Sequence, residues 1–223
     1  MNYTQKPVIS FDSLLTGTFA ELSQIKREIG FYFLFFAGLG AVQWLVESYA
    51  IGLRGFVSIF AFFAYFYAQY RLYQASLSSY GALPHDRVRV FSFLGMALLI
   101  GAGLAFASNF LVIPAIILGG KWIMAPTFLV ARDRAVLSSI GDSWDASSGN
   151  TLALSLAYGL IFFGWLVLIG LGDSLSDALN LPSGYNAVSG LILHILPILL
   201  MGMSVTAYRQ LANPADTLAN VFE

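Results

Sequence analysis

Cysteine is absent from this sequence, histidine occurs twice, and charged side chains make up only 10% of the 223 residues. Without cysteine there is no disulfide framework, no thiolate nucleophile and no thiolate metal site. The two histidines, His85 and His194, lie on different segments, and no acid is spaced with either as a metal pair requires. Soluble domains carry about 25% charged residues, so a chain this poor in charge cannot cover its own surface with polar groups. Its net charge of −1 argues against nucleic acid as a partner.

Apolar residues are what the sequence has in excess, at 58%. Several uncharged runs reach the length that crosses a hydrocarbon core of about 30 Å. They predict an all-α membrane protein, a bundle of six transmembrane helices over residues 30–46, 55–73, 88–107, 110–131, 151–171 and 186–208. Ser108 and Asn109 then form a very tight turn. The N-terminal segment has no cationic region followed by an apolar core, so a cleaved signal peptide is not expected. No segment outside the spans is long enough for a second domain, and residues 1–223 read as one membrane domain.

Residues 10–29 place Phe11, Leu15, Phe19, Leu22, Ile25 and Ile29 at steps of three and four. That pattern predicts an amphipathic helix, capped by Ser10 or Asp12, lying in the membrane interface. A second interfacial helix is expected between spans four and five, with Val136, Leu137, Ile140 and Trp144 on one side and acids and serines on the other. With both termini in the cytoplasm, Lys6, Lys26, Arg27, Arg71, Arg87, Arg89, Arg132, Arg134 and Arg209 all fall on the inner side. Only Arg54 falls outside, which is the asymmetry the positive-inside rule describes.

Lys121 is the one base assigned to the membrane interior. It lies about 11 residues from either end of its span, roughly 16 Å at 1.5 Å per residue, too deep for snorkelling alone. Gly119 and Gly120 beside it, with Pro126 beyond, predict a helix break that admits polar groups. Lys121 and Trp122 are therefore a candidate contact for a lipid or another anion. Against this stands a lysine neutralised by burial, or bonded to a freed carbonyl in a packed bundle. His194 precedes Pro197, which frees the carbonyl of Leu193, and reads as part of a polar interior rather than as a proton carrier. The rings of span two, including Phe60, Phe63, Tyr65 and Tyr67, read as packing and lipid-facing groups before they read as a ligand wall. Ala97, Gly101 and Ala105, with Gly103 and Ala107 beside them, predict a close helix contact, within the chain before between chains.

No nucleophile, base and orienter converge in the sequence, and Asp142 and Asp145 read as a solvated face. Neither a catalytic residue nor a cofactor is indicated.

The segment APTFLVARDRAVLSSIGDSWDASSGN carries Pro126, Ala135, Ser143, Trp144, Gly149 and Asn150, and VTAYRQLA carries Tyr208 and Arg209. Together they resemble the membrane domain attached to some bacterial glycerophosphodiester phosphodiesterases and its stand-alone relatives. The resemblance covers about thirty residues in motif and most of the chain in architecture. It implies a multi-pass module of the bacterial inner membrane, with a basic residue often found near the position of Lys121. The phosphodiesterase barrel that carries the family's catalytic residues has no counterpart here, so the resemblance does not imply hydrolysis. The expectation for function is a non-enzymatic structural or accessory subunit, partnered by membrane lipids and by another membrane protein or complex. A lipid- or amphiphile-binding protein using Lys121, and a small-solute transporter, are the alternatives.

Overall fold

A computed structural model describes residues 8–81, 89–132, 134–178 and 187–212. His85, Lys6 and Arg87 lie outside the described residues. Within them every regular element is a helix. Five stretches are long and apolar enough to cross a membrane: Lys26–Tyr49, Val90–Ser108, Val112–Arg132, Thr151–Leu175 and Gly190–Ala212. The other expected span, 55–73, lies within the 25-residue helix Arg54–Ser78. That helix has the length, but its tyrosines, Gln69 and Arg71 leave it less apolar than the five.

In chain order the helices are α1 (Phe11–Gln24), α2 (Lys26–Tyr49), α3 (Arg54–Ser78), α4 (Val90–Ser108) and α5 (Val112–Trp122). They continue with α6 (Ala125–Arg132), α7 (Val136–Ala146), α8 (Thr151–Ala178), α9 (Ala187–Leu193) and α10 (Ile195–Ala212). Two of the expected spans are thus each split in two, and a proline accounts for each split.

Pro126 lacks an N–H and crowds the carbonyl four residues back. Accordingly α5 ends at Trp122, and α6 starts at Ala125 after a two-residue turn. Gly119 and Gly120, expected to break this helix, instead lie inside α5 and are buried. Their lack of a side chain serves close approach. A Cβ on Gly119 would sit 2.4 Å from the Tyr158 ring, and one on Gly120 would sit 2.8 Å from the backbone of Ser155 on α8.

Pro197 acts in the same way between α9 and α10. The chain turns at His194, whose N–H donates to the carbonyl of Leu191 at 3.1 Å, the tighter i→i+3 pattern. The Trp165 indole donates to the carbonyl of Ile192 at 2.9 Å. These bonds satisfy carbonyls that a continuous helix would have satisfied itself.

The small-residue row of α4 is used differently from expectation. Gly101 and Ala105 are exposed, and nothing lies within 4 Å of a Cβ built on Gly101. Gly103 makes the internal contact instead: a Cβ there would meet the Trp122 ring at 2.7 Å. Trp122 thereby fills a notch in α4.

Helices α1 and α7 turn part of their polar side to the bundle. The buried residues of α1 are Leu14, Thr18 and Glu21, whereas Phe19 of the apolar stripe is 62% exposed. In α7 the buried residues are Ser139 and Ser143, while Leu137 and Trp144 face outward. Both helices therefore turn polar groups inward, where broken or ending helices need donors and acceptors. α1 lies along α10, and a Cβ on Gly17 would collide with the Thr206 side chain at 2.5 Å.

Candidate functional site between α2, α3 and α9

The turn at His194 opens the wall of a cavity of about 430 Å³ between α2, α3 and α9. Its polar lining comes from Gln43 and Glu47 on α2, Arg54, Ser58 and Tyr65 on α3, and His194. Glu47 and Arg54, on either side of the α2–α3 connection, pair at 3.4 Å with both side chains well exposed. Such an exposed pair is worth only about 0–1 kcal/mol, so it marks the mouth of the cavity without locking it.

His194 forms the opposite end. Its Nδ1 lies 3.0 Å from the hydroxyl of Tyr32, and the Gln69 amide donates to the same hydroxyl at 2.8 Å. The imidazole is packed among rings: Phe36 at 4.3 Å between centroids, Tyr32 at 5.5 Å and Tyr65 at 5.9 Å. Tyr32 and Gln69 are themselves buried. Three polar side chains from α2, α3 and the α9–α10 turn thus satisfy one another inside an aromatic box. The sequence places His194 beside a proline but gives no sign of Tyr32 or Gln69, since the three lie far apart in the chain. The one local hint is a glutamine inside a helix otherwise lined with rings.

A second polar cluster joins α1, α3 and α10. Glu21 is buried, accepts from the hydroxyls of Ser76 and of Tyr80, the latter at 2.8 Å, and pairs with Arg209 at 3.4 Å. The Arg209 guanidinium also lies 3.7 Å above the Tyr80 ring. Burial, together with the hydrogen bond to Glu21 and its charge, pushes the Tyr80 hydroxyl up to about 12, against the pull of Arg209. The cluster ties α1 to α3 and α10 and has the character of a lock for α1. The sequence analysis does not single out Glu21, whose partners Ser76, Tyr80 and Arg209 lie far from it in the chain.

Lys121 and Trp122 do not share a site. Trp122 packs on Gly103, whereas the Lys121 ammonium lies 4.7 Å above the Trp144 ring of α7. Among the described residues no carboxylate pairs with that ammonium. The carbonyl of Lys121, at the end of α5, accepts the Ser143 hydroxyl at 2.8 Å. α7 thus covers the α5–α6 break with a serine for the backbone and an indole for the charge, worth about 0.5–1 kcal/mol at an exposed site.

The remaining motif residues are placed structurally. Gly149 has φ +93°, a left-handed conformation that favours glycine. Asn150 precedes α8 and accepts the backbone N–H of Ile9 through its side-chain oxygen at 2.8 Å, tying the N-terminal segment to the bundle. Tyr208 accepts from Arg132 at 3.2 Å. Compared with family models, curated proteins and solved structures, the chain matches none. The described residues contain no cluster of His, Asp and Glu able to hold a metal ion.

Proposed function

We propose that this is a six-span inner-membrane protein that holds a small amphipathic molecule in the cavity between α2, α3 and α9. The molecule's polar group bonds to His194, and its apolar part lies against Phe36 and Tyr65. The observation that carries this reading is the position of His194. A histidine at a helix break, bonded to one partner and lining a cavity of about 430 Å³ with both polar and apolar walls, is a preorganised hydrogen-bonding group for an amphipathic molecule. Discontinuous helices with polar groups at the break are also how membrane proteins build solute sites.

In this reading both termini are cytoplasmic, α3 is the sixth span, and α1 and α7 lie at the cytoplasmic surface. The segregation of basic residues supports that arrangement, as do the outward apolar residues Phe19, Leu137 and Trp144. The cavity mouth at Glu47 and Arg54 then opens to the outer side.

The test is a native mass spectrum of protein extracted from its own membrane in mild detergent. The reading predicts a small bound molecule that His194→Phe loses while the protein stays folded. Equal retention by the variant contradicts it. A stoichiometric protein partner and an empty cavity would favour the accessory-subunit expectation instead.

A further inference from the structure

Beyond the His194 cavity, the seam between α2 and α3 continues as a groove of about 670 Å³. Ala64, Ala68 and Ala75 of α3 contribute small side chains to it, and Phe31, Phe35 and Phe63 supply rings. The groove is lined largely by carbon, except at one end. There Glu28, in the first turn of α2, and Arg71, near the end of α3, both line it. The two helices are antiparallel, so these residues belong to the same end of the bundle.

Among the described residues neither Glu28 nor Arg71 takes part in an ion pair, with each other or with a third group. Arg71 donates only to Gln74, at 3.4 Å. The Arg27 guanidinium lies 5.6 Å above Phe31, adding a second cation to this end. An apolar groove ending in separated, unpaired charges of both signs has the chemistry of an amphiphile with a zwitterionic head. A purely anionic head would leave Glu28 facing a like charge, and a free phosphate would leave the groove unfilled.

We propose that this groove binds a phospholipid whose head group carries both a phosphate and a primary ammonium. Arg71, with Arg27 nearby, takes the phosphate, Glu28 takes the ammonium, and an acyl chain lies against the alanines and rings. The site stands on its own residues and does not depend on what the His194 cavity holds.

The experiment is a lipid competition on the purified full-length protein, read by native mass spectrometry. Phosphatidylethanolamine and phosphatidylglycerol with identical acyl chains are offered in equal amounts. Wild type is expected to retain phosphatidylethanolamine by roughly tenfold over phosphatidylglycerol, a difference of about 1.4 kcal/mol. Glu28→Gln should abolish that preference, and Arg71→Gln should weaken retention of both lipids. Ala68→Phe, which puts a ring into the groove and removes neither charge, should also reduce both. Equal retention of the two lipids by wild type overturns the proposal, as does a preference that survives Glu28→Gln. Glu28 and Arg71 are exposed, so their variants test binding rather than folding.

Discussion

The hydroxyl of Tyr32 lies 3.0 Å from Nδ1 of His194, across a sequence separation of 162 residues, and also accepts from Gln69. One oxygen therefore joins α2, α3 and the α9–α10 turn. Tyr32→Phe keeps the ring and removes that oxygen, leaving the buried Gln69 amide and the half-buried His194 without their shared partner. The expected cost is about 1–3 kcal/mol, read as a lower denaturation midpoint in detergent. The double variant Tyr32→Phe, Gln69→Leu should recover part of it, because it removes an orphaned donor as well. No recovery would mean that Gln69 is satisfied elsewhere.

Glu21 predicts a steeper loss. Removing one partner of a buried, hydrogen-bonded ion pair costs about 3–5 kcal/mol. Arg209 is partly exposed, however, so solvent screens its share. Arg209→Ala leaves the buried Glu21 carboxylate without its cation, whereas Glu21→Ala leaves a guanidinium that water can reach. Arg209→Ala should therefore destabilise at least as much as Glu21→Ala, and Ser76→Ala should cost about 1–3 kcal/mol. Thermal unfolding of the three variants gives the order directly. An Arg209→Ala loss much smaller than that of Glu21→Ala would contradict the account of Glu21 as a buried charge held by Arg209.

The glycines separate by what they face. Gly120→Ala places a methyl group against the backbone of Ser155, which cannot swing aside, and overpacking of this kind costs about 1–3 kcal/mol. Gly101→Ala points into open space and should cost nothing. Yield and thermal midpoint of the two variants, measured side by side, check the contrast.

Asn150 holds the chain before α1 in place. Asn150→Ala leaves the buried N–H of Ile9 unpaired, so limited proteolysis should cut the N-terminal segment faster than in wild type. An unchanged cleavage rate would show that the segment is held by α1 packing alone.

Composition and apolar run lengths made the helical, membrane-spanning character legible before any coordinates. The prolines did the same for the two broken helices, because a missing N–H acts within one turn of its own position. The glycines were misread for a complementary reason. In a sequence, a glycine that loosens a helix looks the same as one that lets a neighbour approach, and only the position of Tyr158 and Ser155 separates the two. The amphipathic character of α1 and α7 was legible in their periodicity, but which groups they turn to the bundle was not. Where the exterior is itself apolar, Glu21 and Ser143 turn inward to meet the polar ends of other helices. The site around His194 was legible only as an isolated histidine, since the residues that complete it come from α2 and α3.

The absence of cysteine makes the central claim open to one direct measurement, because every introduced thiol is the only one in the chain. Ser58→Cys, which lines the cavity, and Leu45→Cys, exposed on the apolar outside of α2, would each be challenged in intact cells with a membrane-impermeant thiol reagent. The account predicts that Ser58→Cys is labelled from the outer side, and more slowly when bulk is added at Arg54, while Leu45→Cys stays unlabelled in lipid. Failure of Ser58→Cys to react, or equal reaction at both positions, would contradict a water-accessible cavity leading to His194.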